Sequence, residues 1–298
     1  NSNLFSKLKI KLIFNLIGFF STYKRKSRFF FKKSLKRTLF IFQNQSDLNL
    51  INNESRHINK QNSHYICGSG VPKIYIKKSN LEFNKNAWLN HEDNIQISDC
   101  SFIFCARLLK SKGILKFIEL SKIYSKNTFE IYGSIDSSSK DSLNEEDIDS
   151  FKKNNPNLIF RKQINNPLII NKCQFPILVV PSNYGEGMPR AILEANALCI
   201  PIISSKLVST KIPKDCFTYV AKNENVKSYE FSIFKIIKDF NSKKLKNKLI
   251  KAFKNVENLY TEEEIAKSTI KLYSNLLKTD QESYLLTKDN AKIERWLP

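Results

Sequence analysis

The chain has 298 residues, 41% of them apolar and 26% charged, with a formal net charge of +21. That apolar share is enough for a core in one large or two modest domains and excludes a disordered chain, and with no run of roughly 18 or more apolar residues no membrane-crossing helix is expected. Six cysteines without a CxxC pair, most inside apolar runs, read as reduced, buried, cytosolic thiols, and three histidines in polar stretches give no zinc pattern, so no metal is expected.

The charge is uneven: residues 1–46 carry eleven Lys and Arg and no acid. Basic blocks attract phosphate, whether of nucleic acids, anionic lipids or diphosphate substrates. Residues 4–20, LFSKLKIKLIFNLIGFF, set Lys7, Lys9 and Lys11 among apolar residues. The spacing suits either a helix lying in a membrane interface or an amphipathic helix packed in a globular domain. The aromatics beside the arm are the cluster Phe29–Phe31, which fits lipid or a core better than a base-stacking platform, so nucleic acid is not an expected partner. The chain opens on Asn1 rather than Met, and a preceding segment is expected.

TLFIF at 38–42 reads as a buried strand ending in the turn cluster QNQSD, and YICGSGV at 65–71 as a strand running into a glycine turn. From about residue 100 the pattern becomes strand (SFIFCARL), helix (112–126) and strand (TFEIYG), a parallel βαβ unit. The acidic stretch 136–149 leads into a helix with Ser142 and Glu145 as its capping box. NLIF at 157–160 and the wholly apolar FPILVVPS at 175–182 follow as strands, the second of a kind buried on both faces. A helix over 189–198, a strand over 200–204, a Lys-rich helix over about 241–258 and a helix opening at Thr261 with Glu264 in its capping box complete the chain. The expected fold is α/β, a doubly wound parallel sheet whose ligand lies at the carboxyl ends of the strands.

The chemistry concentrates in PSNYGEGMPRAILEANALCIPIISS, residues 181–205. Pro189 can take the first helical position, Gly187 permits close approach of a ligand, and the amides of the helix start form an anion site. Glu186 and Glu194 flank that site, and a carboxylate accepts hydrogen bonds from vicinal hydroxyls. An isolated pair of glutamates at this spacing would more simply cap or solvate a helix. Here an apolar strand precedes the pair, and Arg107 and Lys112 follow a second strand, placed to neutralise a diphosphate.

The stretches FQNQSD (42–47), GSGV (68–71), ARLLKSKG (106–113), IYG (131–133) and PSNYGEGMPRAILEANALCIPII (181–203) together resemble the family 4 glycosyltransferases of the GT-B fold, which are retaining and use nucleotide-activated sugars. Through FQNQSD and GSGV the resemblance is closest to members that extend polyprenyl-diphosphate-linked glycans in cell-surface polysaccharide assembly. It implies that Arg107 and Lys112 bind the donor diphosphate as leaving group and that Glu186 holds hydroxyls of the donor sugar, these three being the catalytic set. Gly187 and Met188 would offer backbone amides, Glu194 would bind the ribose hydroxyls, and Gly133 would border the donor. It implies no metal and no cofactor beyond the nucleotide-diphosphate sugar. The acceptor would be a lipid-linked glycan, reached by a cytoplasmic protein peripheral to the inner face of the cell membrane.

On this reading residues 1–97 are the remnant of an N-terminal acceptor domain with a basic arm, 98–278 the nucleotide-sugar-binding domain and 279–298 a tail. The chain departs from the family pattern at Arg161 and Lys162, where a glycine is usual beside the base, at Cys199, which replaces a glycine, and at LVSTKIP (207–213), which replaces a glycine-containing turn. Two other readings follow from the same residues: an inactive fragment that holds a donor without an acceptor, and a basic protein binding membranes or nucleic acid.

Overall fold

A computed structural model of the chain describes residues 12–16, 38–54, 62–82, 86–161, 167–170, 173–184 and 187–288. The strands β1 (Leu12–Leu16), β2 (Thr38–Phe42) and β3 (Ser63–Tyr65) form a parallel sheet in that order, with α1 (Gln45–Glu54) between β2 and β3. The helices α2 (Lys73–Glu82) and α3 (Ala87–Asn90) then lead into a six-stranded sheet. Its strands are β4 (Cys100–Cys105), β5 (Phe129–Tyr132), β6 (Leu158–Arg161), β7 (Phe175–Val180), β8 (Ile202–Ser205) and β9 (Tyr219–Ala221). Every pairing is parallel and the spatial order is β6-β5-β4-β7-β8-β9. The chain winds outward from β4, returns to place β7 on the other side of β4, and winds outward again. The strand order therefore switches between β4 and β7, where open α/β sheets form their crevice.

Parallel strands covered on both faces must be apolar throughout. CSFIFC and FPILVV meet that condition, each buried at its first five positions. The flanking helices are α4 (Ile114–Ile123), α5 (Glu145–Asn154), α6 (Pro167–Ile170), α7 (Arg190–Ala197), α8 (Lys206–Ser209), α9 (Val226–Asn241), α10 (Leu245–Leu259) and α11 (Glu262–Lys288). On one face Phe102 stacks on Phe129 at 4.6 Å between ring centres, with Phe117 edge-on to the latter. Elsewhere Trp88 lies edge-on to Phe175 and Phe240 and donates its indole N–H to the Pro176 carbonyl at 2.9 Å, so its one polar atom is satisfied inside the core. None of the six cysteines is disulfide-bonded; Cys67, Cys100 and Cys199 are buried and the other three half-buried. No helix among the described residues is long and apolar enough to cross a membrane.

Four local expectations are corrected. Residues 12–16, inside the stretch expected to be helical, form a strand, because LIFNL finds an apolar parallel neighbour in TLFIF; the lysines before it lie outside the described residues. The cap of α5 is Asn144, which accepts from the Asp147 amide at 2.7 Å while Asp147 accepts from the Asn144 amide at 3.1 Å; Ser142 is instead bridged to Leu109. Pro189 is the residue before α7, in extended conformation at ψ 113°, so the helix starts at Arg190. Helix α9 was not anticipated at all, although Asn225 caps it by accepting from the Ser228 amide at 3.1 Å. Its residues Phe231 and Phe234 face outward and blur the apolar stripe that Val226, Tyr229, Ile233, Ile236 and Phe240 trace inward. Cys199 confirms why glycine is usual there: its φ is 54°, in the left-handed region.

The two sheets are tied by backbone and by charge. Val71 donates to the Tyr260 carbonyl at 2.8 Å and accepts from the Glu262 amide at 3.0 Å, which seats the segment after GSGV on the start of α11. That helix then packs Ile265 and Leu272 against Ile41 and Ile66 of the first sheet region. Lys211 forms an ion pair with Asp47, with both side chains about nine-tenths or more buried. The Asn44 side-chain amide donates to Asp47 at 2.7 Å and to the Gly187 carbonyl at 3.2 Å, so this pair reaches the loop before α7. Removing one member of a buried pair strands the other charge. Lys211→Met is expected to lower the unfolding free energy by about 3–5 kcal/mol, and pairing it with Asp47→Leu to restore most of the loss; urea denaturation of the two variants measures both effects.

Candidate functional site

Two strand ends make the site. After β4 the chain turns through a short 3-10 segment, Lys110–Lys112, and enters α4 at Gly113, whose φ of 81° is left-handed. A Cβ at Gly113 would overlap the Pro181 carbonyl beyond the end of β7, so only glycine allows the two loops to touch. The Asn183 amide donates to the Ser111 carbonyl at 3.0 Å, and the Asp141 carboxylate accepts from the Ser111 amide at 3.0 Å and from its hydroxyl. The basic turn is thus held from both sides.

Between these loops opens a cleft of about 320 Å³, lined among others by Arg107, Lys112, Ser182, Pro189, Arg190 and Glu194. The structure therefore brings together three residues expected from sequence, Arg107, Lys112 and Glu194. The first turn of α7 borders the same cleft, and the unsatisfied amides and dipole of a helix start favour an anion there. Arg107 also lines a second cleft of about 200 Å³ together with Tyr132, Gly133, Ser134 and Pro167. Gly133 thus stands beside Arg107 but in the neighbouring recess. Gly187 and Met188 are buried just before α7, Met188 lying against Gly68 of the GSGV turn. Gly185 and Glu186 lie outside the described residues, so the catalytic role expected of Glu186 rests on sequence alone.

The charged groups of the cleft hold partners from the chain itself. The Arg107 guanidinium donates to Asp136 at 2.6 Å, and hydrogen bonds from Ser138 and then Arg107 hold the Asp136 carboxyl below the usual carboxylate range. The Lys112 ammonium stands 5.1 Å from the centre of the Tyr184 ring, a cation–π contact. Glu194 is 7% exposed and accepts from Arg190 Nε at 2.9 Å, while Arg190 also reaches Glu262 at 3.4 Å. The buried Tyr75 hydroxyl, from α2, favours the charged form of Glu194 and has no full hydrogen-bond partner among the described residues. Burial dominates: the Glu194 carboxyl is raised above its ordinary value despite Arg190 and Tyr75.

Sequence reading missed Arg190, Asp136 and Tyr75. Arg190 had a legible signal, its spacing of four from Glu194 on one helix face. Asp136 and Tyr75 come from other loops and helices and have no local signal. At the recess beside Gly133, Arg161 is held by Glu130, which accepts from the guanidinium at 2.7 Å and from the Tyr132 hydroxyl at 2.7 Å. Among the described residues no group of three or more His, Cys, Asp or Glu is placed to hold a metal ion.

The sequence profile of the glycosyl transferases group 1 family matches residues 92–256, more than half of the chain and the whole of the six-stranded sheet. The chain belongs to that family. It is a glycosyltransferase of the GT-B fold, and solved structures agree on the fold. Sucrose-phosphate synthase from Thermosynechococcus elongatus superposes with a TM-score of 0.68 at 15% identity, over 93% of this chain and 71% of that one. A glycosyltransferase from Rickettsia africae gives 0.63 at 16%, over 89% and 69%. Anabaena HepE in complex with UDP and glucose gives 0.64 at 14%, over 89% and 71%. No curated protein matches the chain in sequence.

Glu194 gives this glycosyltransferase a pH signature. Its carboxyl is raised in the folded chain, so just above the model-peptide value of about 4.5 the folded state keeps a proton that the unfolded state has released. Stability contributed by this group is full below that pH and falls as pH rises through the window up to the folded value. Glu194→Gln is expected to flatten this slope and to melt higher than wild type at pH 7; paired thermal melts between pH 4 and 7 isolate the difference.

Proposed function

We propose that the chain is the donor-binding part of a retaining glycosyltransferase of the family 4 type, moving a hexose or N-acetylhexosamine from a nucleotide-diphosphate sugar to a lipid-linked glycan. One observation carries the reading: Arg107, Lys112, Glu194 and the start of α7 meet in a single cleft at the switch point of the sheet. Cations and a helix start are what a diphosphate needs, and a carboxylate at the far side is what ribose hydroxyls need. A donor would draw Arg107 from Asp136 and occupy the Glu194 oxygens now shared with Arg190.

In the proposed reaction the bond from the sugar anomeric carbon to the diphosphate breaks while the acceptor oxygen bonds to that carbon on the same face. The acceptor proton passes to the departing phosphate. Arg107 and Lys112 stabilise the negative charge that grows on the diphosphate, which is where fixed positive groups lower a barrier most. Because side chains supply that charge, we assign the reaction no metal. Glu186 is assigned to the hydroxyls of the donor sugar, from its place in the sequence before α7. Uridine is the first nucleotide to try, since HepE, which shares the fold, is found with UDP and with UDP-glucose. The lipid-linked acceptor and a cytoplasmic position at the inner membrane face rest on the FQNQSD and GSGV pairing and on the basic arm.

Binding tests the reading. Uridine, guanosine or adenosine diphosphate is expected to raise the melting temperature. Arg107→Ala and Lys112→Ala are each expected to weaken the preferred diphosphate about 10- to 100-fold by calorimetric titration, the range for hydrogen bonds to charged groups. If none of the three nucleotides stabilises the chain, the donor reading fails. Asp136→Asn is expected to act in the opposite direction: freeing Arg107 from a surface ion pair tightens nucleotide binding by less than about fivefold.

A further inference from the structure

Helix α9 has an outward face that its own domain does not explain. Lys227, Phe231, Phe234 and Lys238 recur at helical spacing opposite the buried stripe and all are exposed, whereas the exposed Lys235 turns its ammonium to within 5.9 Å of the Tyr219 ring centre. Phe231 is 67% exposed and Phe234 59%, the highest values among the exposed large apolar residues of α9 and β9. The carboxylates of the helix are turned elsewhere. Glu230 is half-buried and faces the Tyr124 hydroxyl, and Asp239 is buried, accepting from the Tyr219 hydroxyl at 2.6 Å and from Lys248 at 2.6 Å. The preceding loop adds Lys222 and Glu224, which offset each other.

We infer that this face of α9 docks on an anionic lipid surface, Phe231 and Phe234 entering the interface and Lys227 and Lys238 meeting the head groups. Two aromatic rings between lysines, with no acid on the same face, are complementary to a layer that is apolar below and negative above. The position is apt as well. α9 follows the carboxyl end of β9, so its first turn, with Lys227, stands at the same sheet edge as the cleft, and the rest of the face runs along the flank of the donor-site domain. The inference rests on the membrane part of the proposed function and assigns it to a surface far in sequence from the basic arm.

Co-sedimentation of the full chain with phosphatidylglycerol-containing vesicles tests it. Wild type is expected to sediment with these and not with pure phosphatidylcholine. Phe231→Ser with Phe234→Ser is expected to lower the partition at least about tenfold, in line with the apolar area withdrawn. Lys227→Gln with Lys238→Gln is expected to lower it by tens of fold at low salt, about fivefold for each cation. Nucleoside diphosphate binding should be unchanged in both variants, which also shows that they fold. Wild type that stays in the supernatant overturns both this inference and the membrane reading. Wild type that sediments together with equally bound variants overturns this inference alone. Unchanged vesicle binding with a shift from dimer to monomer in the Phe variant would assign the face to a second copy of the chain and would equally overturn it.

Discussion

The site depends on one contact, the backbone of Gly113 against the Pro181 carbonyl. Strands β4 and β7 are neighbours in the sheet, but adjacency alone does not bring their following loops within reach of one ligand. A side chain at residue 113 would force the loops apart, and with them Arg107 and Lys112 from α7. The left-handed φ at Gly113 lets the chain leave its 3-10 turn and enter α4 without a Cβ in the gap. In a chain with only seven glycines, that position is bound to glycine by sterics rather than by flexibility.

The cleft is electrostatically self-satisfied. Arg107 rests on Asp136 and Arg190 on Glu194, so an entering ligand exchanges partners rather than filling bare charge. Both arginines are about half exposed, so water eases their exchange, and the buried Glu194 is the charge that is costly to leave alone. Glu194 shows the limit of the arrangement. Even with Arg190 attached and Tyr75 opposite, burial keeps its carboxyl raised, a sign that the pocket is not arranged for its stability.

Much of this was legible in the sequence, for reasons that differ by element. The parallel sheet could be read because strands buried on both faces leave continuous apolar runs, as in FPILVV, and because short glycine-marked turns punctuate them. Arg107, Lys112 and Glu194 could be read because each sits at a fixed offset from a strand end or helix start. What failed was whatever depends on a distant neighbour. LIFNL looks helical until TLFIF is beside it. Ser142 looks like a cap until Leu109 claims it. Helix α9 looks irregular because two of its large apolar residues do not face the core. Local rules place residues on elements; they do not say which residue from elsewhere arrives.

The same limit explains the buried pair of Lys211 and Asp47, which no spacing announces. An apolar pair of similar size would be about as stable in that position, since desolvation offsets most of the attraction within a buried ion pair. It would lack direction. Asp47 holds Asn44 at 2.7 Å, and Asn44 in turn holds the Gly187 carbonyl at 3.2 Å, so the polar network points the first sheet region at the loop that opens α7. FQNQSD and Gly187, separated by about half the chain, are thereby fixed relative to one another through Asn44, which Asp47 and its partner Lys211 hold in place. A directional tie at that junction serves geometry where an apolar contact would serve only cohesion.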